Sequence, residues 1–596
     1  MKTLNYNRPK GQTGGVTHLF GLKLLLALLL SMTLVTVAYA AHLPGNITVS
    51  KGNKGTANKI QLIGRFGNPQ VGELVGSGEN LAIHNKRVYT SKFSEFCGAG
   101  DEALHAINIV DVSDPTNPVE IGKVPILANN NVSHLVVTTI GGHEILVTSM
   151  ETCGLFFTGF DSRLGKGGIR VFDVTDATKP FLLTEITGKQ VPKNVRDLNR
   201  LVAEAAKNLR GDLVVEANRL GLTQGGDPID NMSILFPRYF QGKEDMRKDR
   251  GNFVDNAQTH GLHFFKRGDN HFLVTSYWAF VGDVRIWNMD DPAKPQLVGI
   301  TDIAQQHLKE LGIARNLVDL NLMDKDDKKL IDDFDLINEI ARYKTGALGD
   351  NDTGGFGRDI GEPFFPDAWR FAHAPVPTED GNRLYVGGWD AGILLFDISN
   401  FSSIQLISQA IDPLVSNEEV SSHSVATTQD EKIVVEGGER FVLDLDGFED
   451  PTAGEIRIWD YSDRENPKLA SIYHPLCGHD YTADPDRCDA GFATSFALGY
   501  GPHDIKIVET DKRVLVYIAH LGTGFVILDV TNISKPKEIA RFNPGGGMDG
   551  DFVAQNRGPQ TLFAVDTADG VPEIVYMGDL FGGLYIFRVD DSVLMK

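Results

Sequence analysis

Five histidines recur in one local setting: Ser133-His134-Leu135, Thr259-His260-Gly261, Ala372-His373-Ala374, Ser422-His423-Ser424 and Pro502-His503-Asp504. Each opens a stretch that reads as a β-strand. From His134 to Ser149, His373 to Gly388 and His423 to Gly438 the step is 15 residues, so the same hairpin is expected after each. Imidazole suits copper, zinc, iron and nickel. If the fold gathers these five rings, they can hold a transition metal or a polar substrate. The competing reading is structural: each ring caps its own repeat by bonding a neighbouring turn. Strict repetition fits that role, since a metal needs only three or four ligands. Motifs of other chemistries are missing. There is no phosphate-binding Walker loop, no His-Glu-x-x-His, no Gly-x-Ser-x-Gly elbow and no Cys/His spacing for zinc.

The elements that must position these histidines repeat as well. An apolar strand ending in Asp or its equivalent appears seven times, as INIVDV, IRVFDV, VRIWNM, ILLFDI, IRIWDY, FVILDV and LYIFRV. Its marker residues are Asp111, Asp173, Asn288, Asp397, Asp460, Asp529 and Arg588, at steps of 62, 115, 109, 63, 69 and 59. In most copies a polar turn ending in Pro and a second strand follow, as in PTNPVEIGKV and SKPKEIARF. A period of about 60 with several short strands per unit predicts a β-propeller of four-stranded blades. The final copy stops before a fourth strand, and KIQLIGRFGNP (Lys59–Pro69) reads as an orphan closing strand near the other end. The expected fold is therefore all-β, a seven-bladed propeller closed by an N-terminal strand. The two long steps carry insertions at about 187–256 and about 301–367, both mainly helical by periodicity (NVRDLNRLVAEAAKNLR; IAQQHLKELGI; KKLIDDFDLINEIARYK).

Through Asn108-Ile109-Val110-Asp111 and Val526-Ile527-Leu528-Asp529 the chain resembles the LVIVD-repeat family of bacterial secreted or surface proteins. The resemblance implies a propeller and carries no settled reaction with it.

In such a ring the first strand of each blade lines the axis, and the histidines stand where those strands begin. Asn80 and Gln560 are the nearest equivalents in the first and last blades. Both insertions enter at that same end. So do the loops after each second strand, which carry Cys97, Cys153, Trp278, Trp389, Asp390, Glu439, His520 and Asp579. Rigid scaffolds place function on such loops. Trp278, Trp389, Asp390 and His520 are the expected ligand rim.

Residues 1–40 read as a signal peptide, with Lys2, Arg8, Lys10 and Lys23, the apolar run Leu24–Ala38 and a small-residue Ala38-Tyr39-Ala40 site. Residues 41–58 form a linker, and 59–596 form the propeller with its insertions. Export to the periplasm, cell surface or extracellular space follows, with no stable membrane span after leader cleavage. The net charge of −22 becomes −26 once the leader is removed, which argues against nucleic acid as a partner. Four cysteines in an exported chain suggest two disulfides, read here as Cys97–Cys153 and Cys477–Cys488. Two functions are open at this point. One is a binding module that uses the elaborated rim to hold a protein or small-molecule ligand. The other is a metal-dependent enzyme, an oxidoreductase or hydrolase, with a transition metal at a mouth lined by His134, His260, His373, His423 and His503.

Overall fold

Each repeated apolar strand is the third strand of a four-stranded antiparallel sheet, and seven such sheets follow one another. The structure is a computed structural model and describes residues 59–67, 81–91, 106–127, 130–152, 167–187, 259–277, 283–310, 340, 343–344, 370–412, 422–438, 455–473, 501–521, 524–542, 562–568, 571–579 and 583–594. Blade 1 is Leu81–His84, Arg87–Thr90, Ala106–Asp111 and Val119–Pro125. Blade 2 is Leu135–Ile140, His143–Thr152, Gly168–Asp173 and Phe181–Ile186, with Asn130–Asn131 pairing the end of its second strand. Blade 3 is Thr259–Arg267, Asn270–Tyr277, Asp283–Asn288 and Gln296–Asp302. Blade 4 is Pro375–Pro377, Arg383–Gly387, Ile393–Asp397 and Gln405–Ala410. Blade 5 is Ser422–Thr427, Ile433–Gly438, Ile456–Asp460 and Lys468–Tyr473. Blade 6 is Gly501–Glu509, Val514–Leu521, Gly524–Asp529 and Lys537–Phe542.

Blade 7 takes three strands from the end of the chain, Leu562–Ala568, Val571–Asp579 and Gly583–Val589. Its outer strand is Ile60–Phe66, antiparallel to Gly583–Val589, with Ile60 opposite Val589 and Phe66 opposite Leu584. The first strand of every blade touches the first strand of the next, and that of blade 7 touches that of blade 1. The seven sheets therefore stand in a ring, and the protein is a seven-bladed β-propeller.

Period-two alternation explains how one strand serves two interfaces. In Gly168–Asp173 every residue is buried. Its Phe172 joins Ile107 and Ile109 between blades 1 and 2, whereas Ile169 and Val171 join Leu273 and Trp287 between blades 2 and 3. Blade 4 does the same, with Leu394 and Phe396 facing blade 3 and Leu395 facing blade 5. A strand covered on both faces must be apolar throughout, which is why these segments read as continuous runs of Ile, Val and Phe.

The polar turn is a fixed device. Asp111 accepts the Ser113 N–H (2.8 Å) and Asp114 accepts the Thr116 N–H (3.0 Å). Asp173 with Thr175 and Asp176 with Thr178 repeat the pair, as do Asp529 with Thr531 and Asn532 with Ser534. The Ser113 N–H holds the Asp111 carboxyl below its ordinary value. Each turn then presses on the outer strand of the preceding blade. The Ala177 carbonyl sits against Gly122, where an added Cβ would collide with it. At the equivalent place in blade 5 the Ser471 hydroxyl donates to the Ile533 carbonyl instead.

Among the described residues the helices are Gln305–Glu310 and Asp591–Leu594. The first falls in IAQQHLKELGI, one of the segments read as helical. The insertion at about 187–256 and most of that at about 301–367 lie outside the described residues, as do the leader and all four cysteines. No helix among the described residues is long and apolar enough to cross a membrane.

Candidate functional site

The first strands of blades 3, 5, 6 and 7 each begin with a β-bulge. In blade 5, Ser422 pairs with Gly438 and Ser424 with Gly437, so His423 is the extra residue. In blade 6, Pro502 pairs with His520 and Asp504 with Ala519, which leaves His503 over. In blade 3, His260 and Gly261 fall between the pairs Thr259–Tyr277 and Leu262–Thr275, and the Gly261 N–H donates to the Ser276 hydroxyl (2.9 Å). The His134 N–H is held in a related way by the Ser149 hydroxyl (2.8 Å). A bulge re-aims its extra side chain, which takes His260, His423 and His503 out of the strand register. Gly261 serves a second purpose, since a Cβ there would meet the His373 carbonyl and the Pro375 ring of blade 4.

The five rings meet. Ring centroids are separated by 5.3 Å from His134 to His260, 4.1 Å from His260 to His373, 3.7 Å from His373 to His423 and 4.5 Å from His423 to His503. His134 and His373 belong to blades that are not neighbours, yet their centroids lie 6.5 Å apart. Side chains of non-adjacent blades come that close only at the axis. His260, His373, His423 and His503 are buried, at 3–8% exposure. Burial is the main force that keeps His134 and His373 well below the ordinary imidazole value, and the neighbouring histidines push the same way. These two rings are therefore neutral near pH 7 and carry nitrogen lone pairs. His373 Nδ1 is buried and has no hydrogen-bond partner among the described residues. The neighbours of the His373 ring are other rings, not the turn that a capping role needs.

The expected ligand rim is placed differently. Trp389 is buried, with φ 54°, a backbone region that bulky residues rarely enter. Its backbone exchanges two hydrogen bonds with Ser422, one residue before His423 (3.1 and 3.0 Å). Its indole stacks on Phe371 (5.0 Å) and lies 5.7 Å from His373 and 5.8 Å from His423. Asp390 (4%) and His520 (0%) are likewise buried. Trp278 lies outside the described residues. The blade-7 counterpart of His503 is Phe563, left over between the pairs Leu562–Asp579 and Ala564–Gly578. That replaces Gln560, three residues earlier, as the equivalent position. A count from strand ends cannot detect the bulge that shifts it.

Farther along the axis lies a charged set that the repeat pattern does not announce. Lys506 of blade 6 pairs with Asp566 of blade 7. Asp504 accepts the Val565 and Ile505 N–H groups (2.9 Å each), and burial pushes its carboxyl up to about 7. His263, exposed on the first strand of blade 3, lies within electrostatic reach of Lys506 and Asp566.

A second buried set sits between blades 4 and 5. Arg457 reaches Asp412 (2.9 Å), Glu455 (3.1 Å) and Glu436 (3.7 Å), and Glu436 also accepts the Trp459 indole N–H (2.8 Å). Arg285 with Asp283 (2.9 Å) is the blade-3 version, packed over Tyr277. The signal was present in the sequence as Glu455-Ile456-Arg457 and Asp283-Val284-Arg285, a carboxylate two residues before an Arg on the same strand face. Among the described residues no group of three His, Cys, Asp or Glu donors is already arranged as a metal site.

The model of the LVIVD repeat matches residues 105–125, 380–410 and 515–544, within blades 1, 4 and 6. No curated protein matches the chain. Among solved structures, a chain from "Crystal Structure of Mitotic Checkpoint Complex" aligns at 8% identity over 92% of this chain and 96% of that one, with a TM-score of 0.40. The protein is a seven-bladed propeller that carries the LVIVD repeat at three places along its chain.

Proposed function

We propose that this chain is an exported binding module whose ligand enters at the end of the axis where five histidines meet. The observation that carries this reading is the convergence of rings from five consecutive blades, with His134 and His373 6.5 Å apart across an intervening blade. Concave sites with a few convergent polar groups in an apolar wall are the usual form for small molecules, and Trp389, Phe371 and the imidazoles offer that mixture. The insertions at about 187–256 and about 301–367 leave the scaffold just before the histidine-bearing strands of blades 3 and 4. In this reading they form the elaborated rim that admits the ligand. Ile60–Phe66, as the outer strand of blade 7, ties both ends of the chain together and leaves no edge to aggregate. Residues 1–40 direct export and are removed after Ala40.

Native mass spectrometry of untagged protein from the source cells' extracytoplasmic fraction provides the test. The expected spectrum shows a chain beginning at Ala41 with a retained adduct, and Trp389→Ala, properly folded, loses that adduct. A bare chain, or an adduct that survives both Trp389→Ala and His373→Ala, would remove the basis for this reading.

A further inference from the structure

We infer that His134, His260 and His373 form a three-imidazole site for a late first-row transition metal ion, with copper favoured over zinc. The inference deepens the binding reading above, since it names the ion class that the same mouth accepts. The three centroid separations are 5.3, 4.1 and 6.5 Å. A triangle with those sides has one point about 3.3 Å from every corner, and a ring nitrogen about 2.0–2.1 Å from an ion places its own ring centroid roughly 3.2 Å away. The ring centres are thus already at ligand distance from a common point. That point lies close to the line from His134 to His373, with His260 to one side, so the arrangement is T-shaped.

What remains is rotation. The ring planes are inclined at 62°, 56° and 79° to one another, and their nitrogens are not yet all turned to that point. Rotation about the two side-chain torsions of each histidine supplies the change without moving the backbone. His373 Nδ1, buried with no hydrogen-bond partner among the described residues, is available for it. Imidazole nitrogens with no carboxylate in the trio exclude calcium and magnesium, which need oxygen ligands. They select the nitrogen-binding metals, among which copper binds most tightly. His423, 3.7 Å from His373, packs against that ring.

The test uses full mature chain without a histidine tag, stripped with chelator and then exposed to copper(II) or zinc sulfate alone. After gel filtration, elemental analysis should find one ion per chain, and the copper(II) form should show magnetic coupling to three imidazole nitrogens. His260→Ala and His373→Ala should each weaken binding on the order of 100-fold, while His143→Ala, an exposed ring paired with Asp173, should leave it unchanged. If a variant fails to fold, the nitrogen count on the unaltered chain still decides. Fewer than three coupled imidazoles, less than a tenth of an ion per chain, or equal binding by His260→Ala overturns the site. An organic adduct on metal-free protein would reject the ion and keep the binding module. A bound ion with no adduct that depends on Trp389 would do the reverse.

Discussion

Replacing Arg457 by Met should destabilise the propeller strongly at pH 8 and much less at pH 5. The guanidinium and the carboxylates of Asp412, Glu436 and Glu455 are all at most 1% exposed. Met keeps the apolar stem and removes the guanidinium that these three groups share. Stripping one partner from a buried ion pair costs about 3–5 kcal/mol, because the remaining charge stays desolvated. For the roughly 280 described residues, an unfolding entropy of about 2.1 cal/mol/K per residue gives about 0.6 kcal/mol per degree, so the melting temperature should fall about 5–8 °C. The pH dependence follows from linkage. Burial already pushes the Glu436 carboxyl up while Arg457 opposes it. Without Arg457 the folded-state values of these acids rise further above those of the unfolded chain. The folded variant then binds more protons than the unfolded one as pH falls, and acidification returns stability. The assay is a pair of melting curves for each protein at pH 8 and pH 5. Adding Glu436→Gln to the variant should recover part of the loss at pH 8, since Gln can still accept the Trp459 indole N–H. A penalty below about 1 °C at pH 8, or one that is the same at both pH values, would refute the assignment of an uncompensated buried charge.

Other consequences are independent of that network. Gly122→Ala forces a methyl group into the Ala177 carbonyl of the next blade and should cost about 1–3 kcal/mol, read as a lower denaturation midpoint; no change would mean the turn is free to move. His134 and His373 are held below the ordinary imidazole value in the fold, so the unfolded chain takes up protons first as pH drops through about 6.5 and stability falls. The double variant His134→Gln with His373→Gln should therefore lose less melting temperature between pH 7.5 and 5 than the unaltered chain does, and parallel curves would count against neutral rings. Non-reducing peptide mapping of the mature chain should recover Cys97 linked to Cys153 and Cys477 linked to Cys488, and a cross-linked Cys97–Cys477 peptide would overturn the pairing.

The ring was legible because one strand type must satisfy two interfaces at once. A segment such as Ile393–Asp397, buried on both faces, tolerates little beyond Ile, Leu and Phe, and the Asx turn after it demands Asp or Asn at fixed offsets. Both constraints are local and recur, so they can be read as a repeat. Arg457 with its three acids was not legible in the same way. Asp412 and Glu455 stand 43 residues apart in the chain and meet only because blades 4 and 5 pack. Trp389 was recognised as a loop residue, yet its inward turn depends on a φ of 54° that no residue-type rule assigns to Trp.

The bulges bear on the capping role open to the histidines. If a histidine were needed to cap the start of a first strand, every blade with that bulge would carry one. Blade 7 makes the same bulge between Leu562 and Ala564, and the residue left over there is Phe563. Blade 6 makes it around His503. The hairpin therefore forms with either side chain, and the backbone geometry does not call for imidazole. What the bulge does require is that its extra residue leave the interblade core, and at this end of the ring the axis is where the described rings meet. The bulge position is held by His423 and His503 in blades 5 and 6 and by Phe563 in blade 7, so the recurrence of histidine along the chain needs a reason beyond the bulge itself.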